Sequence, residues 1–322
     1  MASSVTAGSS ERAPGAPGTR QVRKAIIPLA GLGTRLLPAT KVLQKGMLPL
    51  IDRPVVQYVV EEAAAAGLTD ITLITGRDQR ALEAHFAPAP RLERLLADRG
   101  DVDALAALAT APAGMRIGRV SQDEPRGLGD AVLRCASVVG AEPFAILFGD
   151  NVLLGPDDLL TRMIAARNRY GGTILALTEV SWSEVSSRGV VAFEPTGDPG
   201  VVRITNLVEK PAAADAPSNW IMIGRCVCDP AIFGILRDTR AGYGGEIQLS
   251  DALRALAALD EDHGGGVHGV FFHARRLDTG NKQDYVRAIV ELASARQDIA
   301  GEFLPWLRGY VHALGGGHGQ DD

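Results

Sequence analysis

Apolar positions along the first half of the chain fall into short blocks that alternate between two spacings. An apolar run following Lys24 and ending before Gly31 predicts a buried strand over 24–30. Helical spacing follows over 54–66, with Pro54 at the first helical position and Gly67 as the stop. Asp70–Thr75 (DITLIT) reads as a second strand, 78–86 as a short helix, and 91–108 as a helix with leucines at helical intervals. A third strand is expected over 115–121, then a loop (122–132) running into a helix that reaches Val139. The fully apolar 143–148 predicts a strand that stops at Gly149-Asp150-Asn151. A helix over 156–170 and a strand over 173–180 continue the alternation.

Strands separated by helices of about 10–15 residues imply an α/β domain with a doubly wound, mostly parallel mixed sheet, Rossmann-like in layout. The texture changes after Ser186. Short β-type runs at 190–194, Val201–Glu209 and Trp220–Cys228 lack long helices between them, which predicts a small antiparallel β addition. A helix over 246–259, a strand over 269–274 and C-terminal helices over 281–313, broken near Pro305, complete the pattern. Ser, Ala, Gly and Pro dominate residues 1–23, which read as a disordered tail. The expected organisation is therefore a tail (1–23), a catalytic domain (24–295), and a C-terminal helix with a loose end (296–322).

Composition narrows the function. The chain has 322 residues, 46% of them hydrophobic and 22% charged, enough for a sizeable core. The net charge of −5 and the absence of a dense Lys/Arg patch exclude nucleic acid as the main partner. No run approaches the roughly 18 apolar residues of a membrane span. Three cysteines at these spacings make neither a disulfide framework nor a zinc site, so a reduced, cytoplasmic setting is expected.

The candidate chemistry lies in loops after strands. Gly31 and Gly33 follow the first strand, and Arg35 and Lys45 come after them, a combination suited to phosphate. Gly127 and Gly129 lie in the loop after the third strand. Ligands on such sheets bind at the carboxyl ends of strands, near a topological switch point. Asp150 and Asp278 each follow a strand; two carboxylates could share one Mg²⁺, or each could simply cap a turn. Lys210, in Val-Glu-Lys-Pro, reads by itself as a solvated lysine, and Glu209 either accepts from sugar hydroxyls or is merely exposed.

The stretch GLGTRLLPATKVLQKGMLPLIDRPVVQYVV resembles the signature region of the sugar-nucleotide pyrophosphorylases (NDP-sugar nucleotidylyltransferases), above all the bacterial UTP–glucose-1-phosphate uridylyltransferases. GLGDAV, FGDN, RGVV, VEKP, IGR, GGEIQLSDAL and LDTGNK continue the likeness in family order, so that it spans about 24 to 295. It implies a Mg²⁺-dependent enzyme that joins an NTP, UTP favoured, to a sugar 1-phosphate, glucose 1-phosphate favoured, with release of pyrophosphate. It further implies that Asp150 and Asp278 hold the metal. Arg35 would brace the triphosphate, Lys45 would offset charge at the reacting phosphates, and Lys210 would hold the sugar phosphate. Ala30, Gly31, Gly33, Gln122 and Gly127 would receive the nucleoside, and Gly189, Glu209 and Gly224 would line the sugar pocket. A homo-oligomer is expected.

The chain departs from the family pattern in places. Gln44-Lys45-Gly46 stands where Pro-Lys-Glu is usual, and Gly46 is expected to loosen the loop. Arg188 stands where Tyr is common, and the GDN of 149–151 leans toward thymidylyltransferases. Alternatives are thus use of dTTP or another NTP on a glucose-phosphate analogue, or a non-catalytic NDP-sugar-binding homologue. A nicotinamide-dependent oxidoreductase is disfavoured, because the first loop lacks a third glycine and no acidic residue ends the second strand. A glycosyltransferase would not need the Arg35/Lys45 pair.

Overall fold

Successive residues of a strand point to opposite faces, and in β1 (Lys24–Pro28) both faces are buried: Ile26 and Ile27 are fully enclosed on either side. A strand buried on both faces needs helices above and below it. The computed structural model describes residues 20–76, 80–154, 158–259 and 266–316, and β1 lies within a nine-stranded sheet in it. On one face the helices Val55–Ala65 and Leu159–Tyr170 set Val56, Val59, Val60, Leu160 and Met163 into a core with Ile27, Leu73, Ala145 and Leu147. On the other, helices Leu128–Arg134, Ile232–Asp238 and Leu249–Ala257 pack Val132, Phe233, Leu236 and Leu253 against Ile26, Ile74, Phe144 and Ile146.

The remaining strands are β2 (Pro49–Leu50), β3 (Arg53–Pro54), β4 (Asp70–Thr75), β5 (Arg116–Ser121), β6 (Phe144–Leu147), β7 (Asn151–Leu154), β8 (Thr173–Glu179), β9 (Gly189–Pro195), β10 (Val201–Glu209), β11 (Trp220–Cys228), β12 (Val267–Phe271) and β13 (Arg275–Asp278). The sheet order is β5-β4-β1-β6-β11-β8-β12-β10-β9. β5, β4, β1 and β6 run parallel, so their carboxyl ends share one edge. The chain moves outward from β1 through β4 to β5, then returns to β6 on the other side of β1. That reversal opens a crevice between the β1 and β6 ends.

The second half departs from the expected layout. The sheet is mixed, as expected, but its antiparallel strands are not confined to a small addition at one side. β11 is inserted at the centre, antiparallel to β6 and β8, and β10 is antiparallel to both β12 and β9. Burial explains it: β11 is enclosed along nearly its whole length, as only a central strand can be. The expected strand over 269–274 is β12, which ends at Phe271; β13, outside the main sheet, pairs antiparallel with β7, and the sequence pattern predicted neither of these two strands.

Boundaries moved where a backbone conformation interrupts the periodicity. The helix expected over 91–108 divides into Pro90–Arg99 and Val102–Ala107 at Gly100, whose φ of 65° ends the first segment. The C-terminal break falls at Arg296, between helices Lys282–Ala295 and Gln297–Gly316, and Pro305 lies inside the second helix. Of the expected tails, residues 1–19 and 317–322 lie outside the described residues; Val22, within 1–23, is buried in the core. The expected helix starts at 78 and 156 also lie outside the described residues.

Candidate active site

The parallel strands deliver three loops to one edge, and a cavity of about 280 Å³ opens among them. Ala30 and Gly31 after β1, Gln122 after β5, Gly127, and Gly149-Asp150 after β6 line it, with Lys45 and Glu246. A second cavity of about 220 Å³ adjoins it, lined by Arg188, Gly189, Glu209, Gly224, Ser250, Arg276 and Asp278. Leu128, Phe148 and Asp150 border both, so the two are lobes of one cleft meeting at Asp150. β11 and the β9–β10 pair bring the second lobe to the same edge: Phe148 donates its N–H to the Gly224 carbonyl at 2.9 Å, and Gly189 is opposite Glu209.

The β7–β13 ribbon brings the two predicted carboxylates together. Asp278 is opposite Asn151, and Thr279 donates from its N–H (2.9 Å) and Oγ1 (2.8 Å) to the Asp150 carbonyl. Asp150 Oδ2 accepts from Lys45 Nζ, and Oδ1 accepts from Asn151 at 2.8 Å. Burial raises the Asp150 pKa, but the charge and hydrogen bond of Lys45, with the Asn151 bond, outweigh it, and the carboxyl is held below its ordinary range. Asp278 is buried; its Oδ2 lies 3.3 Å from Arg188 Nη1 and 4.0 Å from Arg276 Nη1, and Oδ1 accepts the Gly280 N–H at 3.0 Å. Burial, followed by the nearby Arg188 charge, pulls the Arg276 guanidinium below its usual pKa.

Each carboxylate thus has a cation against it. The pair suits a hard divalent cation, which takes one or two carboxylates and completes its shell with phosphate oxygens and water. Among the described residues no group of three or more His, Cys, Asp or Glu could hold a metal.

The loop from Gly33 to Leu48 is held more tightly than its sequence suggested. Buried Gln44 donates from Nε2 to the Leu29 carbonyl at 2.9 Å. Gly46 is buried where a Cβ would come within 2.5 Å of Leu29, so glycine at this position permits close packing rather than loosening. Gly280 has the same kind of role at the carboxylates. A Cβ there would fall on Lys45 Nζ and lie 2.8 Å from Asp278 Oδ1. Gly280→Ala should displace the lysine and reduce turnover about a hundredfold, while the melting temperature shifts little. Steady-state kinetics alongside a thermal melt check this.

Not every predicted residue enters the cleft. Arg35 is exposed in the turn Thr34–Leu36 and makes no hydrogen bond or ion pair among the described residues. Gly33 starts that turn with φ 63° and borders neither lobe. Lys210 lines neither lobe but follows Glu209 of the second, its Nζ 3.6 Å from Glu209 and its N–H donating to the Arg188 carbonyl at 3.0 Å. Its φ of 46° is a left-handed conformation costing a non-glycine residue about 1–2 kcal/mol.

Arg225 was missed. It is fully buried, bonded to Glu62 through Nε (2.7 Å) and Nη2 (2.6 Å), and it also donates to the carbonyls of Gly224 and Asn151, both at 2.8 Å. It ties together the strand ends that present Asp150 and Gly224. The available signal was a lone charge in the otherwise apolar run WIMIGRCVC.

The family profile for nucleotidyl transferases matches residues 24–295. The chain belongs to the nucleotidyl transferase family. Among relatives of this transferase, the UTP–glucose-1-phosphate uridylyltransferase of Bacillus subtilis (strain 168) is 37% identical over 294 residues, covering 91% of this chain and 98% of that one. The enzyme of the same name from Streptococcus pneumoniae serotype 4 is 38% identical, with 92% and 97% covered. A crystal structure of UDP-glucose pyrophosphorylase complexed with UDP-glucose superposes on the transferase with a TM-score of 0.75 at 35% identity, covering 86% of this chain and all 100% of that one. UTP-bound UGPase from Acinetobacter baumannii gives a TM-score of 0.81 at 32% identity, with 89% and 99% covered. Family members use a divalent metal, and no described helix is long and apolar enough to cross a membrane.

Proposed function

We propose that this transferase moves a uridylyl group from UTP to glucose 1-phosphate, giving UDP-glucose and pyrophosphate. The carrying observation is the two-lobed cleft whose halves meet at Asp150, with Asp278 beside it and Lys45 and Arg188 against the carboxylates. The named uridylyltransferases at 37–38% identity over nine-tenths of the chain support UTP and glucose 1-phosphate as the pair.

The nucleoside enters the lobe of Ala30, Gly31, Gln122 and Gly127, and the sugar the lobe of Gly189, Glu209 and Gly224. Small residues suit the second lobe: a Cβ at Gly224 would come within 2.7 Å of the Phe148 side chain, and one at Gly189 within 3.2 Å of Glu209 Oε2. Glu209, with its carboxylate on the lobe wall, accepts hydrogen bonds from sugar hydroxyls. Asp150 and Asp278 would hold the metal, read as Mg²⁺, which would supply positive charge to offset that of the phosphates. Both reactants are anions, so the protein's task is charge neutralisation and alignment. Lys45, beside Asp150 where the lobes meet, offsets charge on the reacting phosphates. Lys210 holds the sugar phosphate, and Arg35 reaches from the exposed turn to the triphosphate tail. The catalytic domain spans 24–295, with 296–322 appended. Exposed Trp306, Tyr310, Val311 and Leu314 on the last helix support a homo-oligomer, and the charge balance and buried thiols support a cytoplasmic setting.

Pyrophosphate release across a panel of NTPs and sugar 1-phosphates tests this reading: UTP with glucose 1-phosphate should be fastest. Faster turnover of another pair would replace the assignment, and no turnover with any pair would favour a non-catalytic binder. Lys210→Ala should raise the KM for the sugar 1-phosphate about tenfold or more, with the KM for the NTP nearly unchanged. Equal losses in separate titrations would remove Lys210 from the sugar-phosphate role.

A further inference from the structure

The side-chain amide of Gln122 is fixed in one orientation. Its Nε2 donates to the Gly127 carbonyl at 3.0 Å and to Asp130 Oδ2 at 2.9 Å. An amide turned over would set its oxygen against a carbonyl and a carboxylate, neither of which has a proton to give. The placement of oxygen and nitrogen is therefore dictated by the neighbours. Those neighbours are themselves held. Asp130 is more than nine-tenths buried and accepts from Arg134 Nε at 2.8 Å. The Gly127 turn is tied to Ile247 on both sides: Gly129 donates to its carbonyl at 2.8 Å, and its N–H donates to Arg126 at 2.9 Å. The Gln122 backbone is anchored too, its N–H donating to Thr75 at 2.8 Å.

Both amide protons are consequently spent inside the protein. Among the described residues Oε1 accepts no hydrogen bond, and Gln122 lines the nucleotide-side lobe. What this side chain offers a ligand is an acceptor alone.

We propose that Asp130 is a positioning residue for nucleobase choice. By locking Gln122 with Oε1 toward the lobe, it selects a base with a donor on its ring nitrogen, the N3–H of uracil, and rejects cytosine, whose N3 is an acceptor. UTP and CTP are nearly the same size and shape, so apolar contacts separate them poorly, whereas an acceptor facing an acceptor is a strong penalty. The inference rests on the nucleotide-side lobe of the proposed function. Without Asp130 only the Gly127 carbonyl restrains the amide, and the turned-over form, which donates to cytosine N3, becomes accessible.

The test measures UTP and CTP in parallel, by kcat/KM for pyrophosphate release and by calorimetric Kd, in the wild type, Asp130→Leu and Asp130→Asn. The leucine variant removes the acceptor; the isosteric asparagine keeps the volume but tolerates either orientation of Gln122. The UTP/CTP ratio should fall about tenfold or more in Asp130→Leu and by a smaller factor in Asp130→Asn, with the KM for the sugar 1-phosphate unmoved. A loss of packing alone would weaken both nucleotides equally and leave the ratio intact. An unchanged ratio in folded Asp130→Asn and Asp130→Leu overturns the proposal, and if the leucine variant fails to fold, the asparagine variant decides. The calorimetric arm separates the two readings: a wild type that binds UTP over CTP without turnover contradicts the transfer reaction and still tests Asp130. A wild type binding both equally contradicts the role of Asp130.

Discussion

Asp150→Asn and Asp278→Asn are each expected to lower pyrophosphate release by about a thousandfold or more. Asparagine preserves the volume and a carbonyl acceptor, so the ribbon contacts survive. Thr279 bonds the Asp150 main chain rather than its carboxylate, and an amide oxygen at 278 still accepts from Gly280. What disappears is one negative charge at the junction of the two lobes. In the proposed role it is needed twice, to hold the metal and, with substrate absent, to balance Lys45 or Arg188. The measurement is turnover against Mg²⁺ concentration for folded variants. Wild-type turnover of Asp278→Asn at low Mg²⁺ would remove the metal role from that residue.

The largest effect on stability should come from Glu62→Ala. Arg225 has no exposed side-chain surface, and Glu62 supplies both carboxylate oxygens to it at 2.6–2.7 Å. Removing one partner of such a pair leaves a buried charge uncompensated, a loss of about 3 kcal/mol or more. Three carbonyl bonds, to Gly224 and Asn151 at 2.8 Å and to Phe148 at 3.5 Å, then remain on a guanidinium without its counter-charge. Because those carbonyls belong to the strand ends that carry the cleft, activity should decline with stability. Denaturant unfolding gives the first quantity and steady-state kinetics the second. An unfolding free energy within about 0.5 kcal/mol of wild type, the range of ordinary surface changes, would contradict this role.

How much of this was legible in the sequence depended on how local each feature is. β4, β10 and β11 have the limits their apolar runs implied, and Gln122 and Asp150 emerge at strand ends as expected, because periodicity and glycine punctuation are local signals. The central place of β11 was not legible. A run enclosed on both faces looks alike whether its neighbours are parallel or antiparallel, and only pairing with β6 and β8 decides. The β7–β13 ribbon was hidden for the same reason: NVLL and RRLD are too short to declare themselves and exist through a contact across more than a hundred residues. That ribbon is what turns two separate strand-end aspartates into one site. Arg188 was noticed as an unusual residue, but only the fold showed its guanidinium against Asp278. Gly46 was misjudged because a glycine that admits a neighbour and a glycine that frees a loop are the same letter.

The central claim is that one cleft holds both substrates, nucleoside on one side of Asp150 and sugar on the other. Crystals grown with UDP-glucose and Mg²⁺ test it most directly. Electron density should show uracil against Gln122 and Gly127, glucose against Glu209 and Gly224, and the diphosphate between them at Asp150 and Asp278. A ligand bound in the opposite sense, or outside these two lobes, would contradict the account.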